Sequence, residues 1–453
     1  MKTEFNYSFP PRREIRKPLK KKIYIPIITK FWTSHIIAFL WMAFSIYVSI
    51  PWLDDLSEIV TFPIALFIIT GISYVPGYLN AFLVISLFFD KQPPFKNEHP
   101  NEKVSVLIAA RNEEEVIART LRYISKQDYS GPIEVFVIDN ASTDKTFTIA
   151  ANAGIMFNLD VRVIKEEVPG KFNALNTALK SVTTNYVITL DADTILHQSA
   201  IRLLVARITS SPANICAVAG SVLVRNSRGN LLARIQEWDY FLGIASIKRL
   251  QGLYQGTLVA QGAFSIYDTQ RIKDMGGWPD AIGEDIVLTW NLLKKGWKVY
   301  FEPLAVAFTD VPDTLTHFAK QRSRWARGMI EALKQTKPWE QPEPYIKYLT
   351  GINLIMPYLD IVYTFCWLPG LILSFFGYYW IVGLTTLLVL PLTLISYGFL
   401  YYYQKNVFKR LELRIRKNIL GFFVFVCFYQ MLMSPISTWG YIQEAFKLKR
   451  VWK

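Results

Sequence analysis

Cysteine and histidine are scarce in this chain, with three of one and four of the other among 453 residues. Cys366 and Cys427 fall inside apolar stretches, so neither a disulfide framework nor a cysteine–histidine zinc site can be built. Glycine fingerprints of the GxGxxG and GxxxxGK[ST] types are also absent. That removes a dinucleotide-binding Rossmann site and a P-loop. Charge is sparse as well: 19% of positions are charged against 51% hydrophobic and 15% aromatic, at a mean hydropathy of +0.21. Such a chain is too apolar for an ordinary soluble protein, and a membrane protein is expected.

The net charge of +14 invites a nucleic-acid partner until its location is checked. Residues 1–30 carry nine basic and two acidic residues, 403–418 six and one, and 443–453 four and one. These three segments sum to +15, so the remainder is −1. Basic residues gathered beside apolar stretches mark cytoplasm-facing membrane flanks, and no nucleic-acid partner is expected.

Runs free of Asp, Glu, Lys and Arg locate the spans, because an ionised side chain at mid-bilayer costs ~2.5–3.5 kcal/mol on insertion scales. Residues 31–53 and 59–89 are two such runs, joined by a short acidic loop around Asp54 and Asp55. Residues 361–404 suffice for two more helices meeting near Gly377, and 419–443 for a fifth. Pro357, Pro369, Pro391 and Pro435 are expected to kink these helices. The lysine-rich start is too long for a cleaved signal peptide, so the first span is an anchor with its N-terminus in the cytoplasm. Counting crossings then places 90–350 and the 403–418 loop in the cytoplasm and the tail outside. That tail is basic, so either the positive-inside rule fails there or the fifth segment does not fully cross. The expected organisation is a basic N-terminus (1–30), two spans (31–89), a cytoplasmic α/β domain (90–310), amphipathic interfacial helices (311–350), about three spans (351–443) and a basic tail (444–453). Asp360 stands alone between Lys347 and Lys405. It either lines a polar path or ends an interfacial helix at 348–360 with the span beginning at Ile361.

From Val104 onward, apolar runs at 104–110, 133–138, 161–165 and 186–190 alternate with helical stretches at 114–127, 144–153 and 171–180. This is the pattern of βαβ units, hence a mostly parallel sheet with its ligand at the carboxyl ends of the strands. The polar residues at those ends are Ala110-Arg111-Asn112-Glu113, Asp139 through Asp144, and Asp191-Ala192-Asp193. Two carboxylates leaving one strand end suit Mg²⁺ or Mn²⁺ held against a nucleotide. Lys171 opens a helix, where a cation and free N–H groups meet phosphate. Singly, each is also what a solvated turn or a surface lysine looks like.

Taken in order, Arg-Asn-Glu, Asp-Asn-Ala-Ser-Thr-Asp, Gly-Lys-x-x-Ala-Leu-Asn, Asp-Ala-Asp-Thr, Gln261-Gly262, Gly283-Glu284-Asp285-Ile286 and Gln321-x-x-Arg324-Trp325 form a more specific set. Across about residues 104–330 the chain resembles the membrane-integrated family-2 glycosyltransferases of GT-A fold: cellulose, chitin, hyaluronan and poly-N-acetylglucosamine synthases. The resemblance implies an α/β GT-A cytoplasmic domain joined to a multi-span α-helical membrane domain. It implies that Glu113 and Asp139 contact the nucleoside, Lys171 the phosphates, Asp191 the nucleotide sugar and Asp193 the metal. Asp285 falls at the general base with Glu284 beside it, and Gln321, Arg324 and Trp325 close over the diphosphate and the acceptor. Two departures stand out: Asp139-Asn140-Ala141 replaces Asp-Asp-Gly, a place where the family varies, and Gly283 replaces a threonine, which leaves room for a looser Glu-Asp turn.

The chemistry is consistent with those roles. Transfer from a nucleotide diphosphate needs cations on the leaving phosphate, here Asp193 with its metal, Lys171 and Arg324, and a base for the attacking hydroxyl, here Asp285. Asp285 is equally a favourable first-turn acid of a helix, and Trp325 equally an indole anchor at a membrane boundary. The expected function is a processive, inverting, metal-dependent transferase that elongates a β-linked polysaccharide from a UDP-sugar, of the UDP-GlcNAc or UDP-glucose type, and passes it through the cell membrane. Its expected partners are that donor, the polysaccharide acceptor and membrane lipids. A rival is a non-processive enzyme with a lipid acceptor, of the ceramide glucosyltransferase kind. From another class comes a non-enzymatic membrane scaffold, which predicts lost acids, whereas the whole set is present.

Overall fold

The computed structural model describes residues 25–448 except 384, 385, 387 and 388. The basic segment 1–24 and tail 449–453, which carry part of the charge argument, lie outside the described residues. Eight strands form one sheet: β1 (Val104–Ala110), β2 (Ile133–Asn140), β3 (Asp160–Glu166), β4 (Tyr186–Leu190), β5 (Ile195–Leu196), β6 (Ile215–Val224), β7 (Phe264–Asp268) and β8 (Lys298–Thr309). Their order is β3-β2-β1-β4-β7-β6-β8-β5. The pairs β1–β2, β2–β3, β1–β4 and β6–β8 are parallel, while β4–β7, β6–β7 and β5–β8 are antiparallel. The mostly parallel α/β sheet is therefore the one expected.

Period-two alternation sorts the strand side chains between two apolar layers. Val106, Ile108, Val135 and Val137 pack with Ile117, Leu121 and Leu204, while Leu107, Phe136 and Tyr267 pack with Leu175, Leu250 and Trp290. The second layer continues into the long apolar helices through Phe31 and Phe82, the first through Val407 and Phe425. A buried ion pair, Arg249–Asp90 at 2.6 Å, pins the end of helix 75–88 to the domain. Sheet and apolar helices thus share their cores.

Among the described residues, four helices are long and apolar enough to cross a membrane: Ile27–Val48, Phe62–Phe88, Pro344–Ser374 and Ile419–Ala445. Helix Val389–Arg410 follows the turn at Gly377, whose φ of 88° is left-handed and favours glycine. Two details differ from the sequence expectation. Asp54 and Asp55 sit in a helix, Ile50–Ile59, rather than a loop, because Pro51 starts a turn that the chain continues. The third long helix begins at Pro344, not near 361, so Asp360 lies inside it and ends no interfacial helix. Its carboxylate costs little there because Ser434 Oγ and Tyr441 OH each donate to it at 2.7 Å. Of the prolines expected to act, Pro357 and Pro435 lie inside α-helices, while Pro369, like Pro76, enters its helical segment directly after a π-turn (Tyr363–Trp367 and Thr70–Tyr74), which shifts the bonds those two residues cannot donate.

Helix Ile419–Ala445, about 40 Å long at 1.5 Å per residue, contacts the α/β domain at both ends. At its start, Asn418 accepts from Trp238 through its carbonyl and donates to the Arg234 carbonyl and the Glu237 carboxylate. Beyond its end, the Leu448 carbonyl accepts from Arg327, and Glu444 pairs with Lys334 at 2.8 Å. Between them Gly440 rests against Ser323 and Ala326 of helix Leu315–Gln335.

Asp360→Leu is expected to leave two hydroxyls without their acceptor and to lower the stability of the full-length chain by about 2–4 kcal/mol. Thermal unfolding in detergent reads the change, and an unaltered midpoint would show that the carboxylate ties nothing together.

Candidate active site

The carboxyl ends of β1, β2 and β4 place the expected residues along one edge. Ala110 of β1 pairs with Asp139 of β2, and the loops that follow are laced together. Asn112, at φ 55°, accepts from Thr143 N at 2.8 Å, and Glu113 N donates to Thr146 Oγ1 at 2.8 Å. Asp139 is buried, and its Oδ1 has no hydrogen-bond partner among the described residues. A buried carboxylate oxygen left open is costly unless a ligand supplies the donor. Asn140 is fully buried, donates to the Val168 carbonyl at 2.7 Å and accepts from Gly170 N at 2.8 Å. It therefore braces the turn that delivers Lys171. Ala141 takes φ 54°, the left-handed region that a glycine would enter at less cost.

Lys171 is the first residue of helix Lys171–Leu179. Its Nζ lies 2.6 Å from Asp191 Oδ1 and 3.6 Å from Glu284 Oε1. Burial alone would lower its pKa, but Asp191, Glu284 and Asp285 outweigh it and hold the ammonium above its ordinary value. Gly262 makes room, since a Cβ there would fall 2.6 Å from that Nζ. Asp193 hangs beyond β4 and accepts from Thr194 and Thr309 hydroxyls at 3.2 Å. Burial first, then Asp191, Glu113 and Asp310, push its carboxyl up to about 6. This excess of negative charge fits a divalent cation. No group of three or more histidine, cysteine or acidic ligands occurs among the described residues, so an all-protein cage is not what is built. One or two carboxylates, with water and phosphate oxygens completing the shell, are what Mg²⁺ or Mn²⁺ takes beside a nucleotide.

Glu284 and Asp285 open helix Glu284–Lys294. Asp285 accepts from Gly262 N at 3.2 Å and from Ile286 N at 2.8 Å, so it is a first-turn acid and stands at the site at once. Burial pushes Glu284 up to about 7, against the pull of Lys171 and with the push of Asp285. Helix Leu315–Gln335 carries Gln321, Arg324 and Trp325. Arg324 is near enough to Glu284 to favour its ionised form, the Gln321 Oε1 is buried without a hydrogen-bond partner among the described residues, and Trp325 is 41% exposed. The Glu-Asp turn is tight despite Gly283. A Cβ there would lie 2.6 Å from Ile286 Cγ2 and 3.0 Å from Gly328 Cα, and one on Gly328 would meet Gly283 at 3.0 Å. Two glycines let the backbones touch, and Glu331 accepts from Ile282 N at 2.7 Å. The missing threonine is thus filled by the neighbouring helix.

Sequence reasoning missed the bracing role of Asn140, the close packing of Gly328 and the buried Lys248. Lys248 is buried, donates to the Val259 carbonyl at 2.8 Å, and is pushed down to about 8 by burial against the pull of Asp285. Its sequence signal was weak, since it stands beside a second basic residue, Arg249, on helix Ala245–Leu253.

Residues 100–328 match the family model described as glycosyltransferase like family 2. A poly-beta-1,6-N-acetyl-D-glucosamine synthase of Staphylococcus epidermidis is 30% identical over 314 residues, 66% of this chain and 75% of that protein. One from Staphylococcus aureus is 32% identical over 276 residues, 57% of this chain and 65% of that protein. The chain thus spans about two thirds to three quarters of these relatives. A mannosyltransferase from Pyrobaculum calidifontis, solved with GDP-mannose and Mn²⁺, has the same fold. It superposes with a TM-score of 0.59 at 18% identity, covering 84% of this chain and 99% of that one.

Gly283→Thr should wedge helix 315–335 away from the Glu-Asp turn, destabilising the chain by about 1–3 kcal/mol and slowing turnover. Thermal unfolding and the rate of nucleotide release check both effects; wild-type values in both would mean that the turn has slack.

Proposed function

Because the chain belongs to glycosyltransferase family 2, we propose that it is a processive, inverting transferase. In this reading it moves N-acetylglucosamine from UDP-GlcNAc onto a β-linked polysaccharide. The observation that carries the reading is the acid cluster around Lys171 at the carboxyl ends of the sheet. The open Asp139 oxygen takes an N–H or O–H of the nucleoside, and Glu113 is the second nucleoside contact. Lys171 and Arg324 face the diphosphate, and Asp191 holds the donor. Asp193 would hold the divalent ion, which when bound neutralises charge on the departing UDP. Asp285 takes the proton of the attacking hydroxyl, since its carboxylate is held by two backbone N–H groups and keeps lone pairs free. Glu284, near 7, is partly protonated at neutral pH and can also donate a hydrogen bond, which divides the roles of the two neighbours. Attack from the face opposite the diphosphate inverts the anomeric centre. Gln321 and Trp325 close over the diphosphate and the acceptor sugar.

The same reading gives a topology. In it, three of the helices long and apolar enough to cross, Ile27–Val48, Phe62–Phe88 and Pro344–Ser374, cross in alternating directions, and the 22-residue helix Val389–Arg410 returns the chain to the cytoplasmic side. Helix Ile419–Ala445, docked on the α/β domain at both ends, lies along the cytoplasmic boundary. A basic tail then stays inside, in keeping with the positive-inside rule.

Asp285→Asn is expected to lower transfer by on the order of 10²–10⁴ with UDP affinity unchanged; a parallel loss of UDP binding would make it a binding residue. Labelled UDP-GlcNAc supplied to the full-length chain should yield high polymer on a gel. A single labelled lipid would establish the lipid-acceptor enzyme instead, and no product would remove the activity. Topology is read separately: cysteines introduced at Glu412 and Lys447, in a chain without its own, should both be labelled only after the cells are opened. Labelling of the second on intact cells would mean that helix 419–445 crosses.

A further inference from the structure

Arg322 lies within the Gln321–Trp325 motif but has no role in the chemistry above. It is buried, and its guanidinium donates to Asp239 Oδ2 at 2.9 Å. The same oxygen accepts from Tyr429 OH at 2.6 Å. The guanidinium carbon also sits 4.1 Å from the centre of the Trp325 ring, 5.2 Å from that of Phe318 and 5.7 Å from that of Tyr240. Trp325 and Tyr240 are ring neighbours at 6.5 Å. Asp239 and Tyr240 begin the π-turn Asp239–Ile244, an irregularity that interrupts the helical stretch 231–253 just where these two side chains are needed. Three elements distant in sequence therefore meet on one buried carboxylate.

The consequence follows from how an indole binds sugar. A saccharide ring stacks on an aromatic face, and such a platform works best when its rotamer is already fixed. Trp325 is 41% exposed and, without those neighbours, would sample several rotamers. A buried guanidinium over its ring restrains it by a cation–π contact in a site with little water. The guanidinium is itself restrained, because Asp239 must stay paired when buried and its Oδ2 is held at the same time by the Tyr429 hydroxyl. We propose that Arg322, Asp239 and Tyr429 form a positioning relay that presets Trp325 for the acceptor sugar, making the helix Ile419–Ala445 part of the acceptor site. The proposal rests on the reading above in which Trp325 meets the acceptor.

The test uses the full-length chain in lipid nanodiscs, saturating UDP-GlcNAc, and a short β-1,6-linked N-acetylglucosamine oligosaccharide as added acceptor. Arg322→Met should raise the acceptor KM by roughly tenfold, the scale of a lost desolvated cation–π contact, with UDP affinity unchanged; Arg322→Lys should recover part of it. Tyr429→Phe, which removes one hydroxyl and keeps the ring, should raise KM by about two- to fivefold, the scale of a single hydrogen bond. In a Trp325→Ala background, Arg322→Met should add no further acceptor defect. An equal fall in UDP affinity and acceptor affinity, a full additional defect on Trp325→Ala, or a wild-type KM for Tyr429→Phe would overturn the relay. If Trp325→Ala itself leaves the acceptor KM unchanged, the assignment of Trp325 to the acceptor is what has failed. If Trp325→Ala raises it and Arg322→Met does not, the relay alone has failed.

Discussion

One ammonium carries the balance of charge at this site. Lys171 stands between Asp191 and Glu284, with Asp285 near enough to act on it and Asp193 two residues beyond Asp191. Without that cation the strand ends would bring together carboxylates that repel one another in a partly dehydrated cleft. Several otherwise unremarked features serve it. Gly262 leaves the space that the Nζ occupies, Asn140 braces the turn before the helix, and Gly170 takes a φ of 145° that other residues avoid. The cluster remains net negative even so, which is the condition under which a divalent ion adds stability instead of competing for ligands.

A second constraint joins the chemistry to the apolar helices. Phe31, Phe82, Tyr254, Tyr345 and Tyr348 form a continuous aromatic cluster between helices Ile27–Val48 and Phe62–Phe88, helix Ala245–Leu253 with the turn after it, and the start of Pro344–Ser374. With Arg249–Asp90 and the contacts of Asn418, they leave the α/β domain little freedom to pivot on the helices.

The strand runs were legible because burial on both faces of a parallel sheet demands continuous apolar residues, and the runs at 104–110 and 186–190 coincide with β1 and β4. The acids were legible because strand ends are where such a sheet presents its ligands. What could not be read was anything decided by partners far along the chain. Counting charge-free residues started the third long helix too late, since Asp360 was scored as a cost while Ser434 and Tyr441, more than seventy residues away, satisfy it. Gly283 looked like slack because Gly328, which fills the gap, belongs to another helix. Arg322 was one of two unassigned letters inside a motif, and only the fold brings Asp239 and Tyr429 to it.

The central claim is that the Lys171 cluster is a nucleotide-diphosphate site whose negative excess calls for a divalent ion. Calorimetric titration of UDP into the purified chain, with Mn²⁺ or Mg²⁺ and then with chelator, tests it directly. The account predicts saturable binding with either ion that is lost, or weakened by at least about tenfold, a change of 1.4 kcal/mol, when the ion is removed. Binding of equal strength in chelator, or none under either condition, would contradict it.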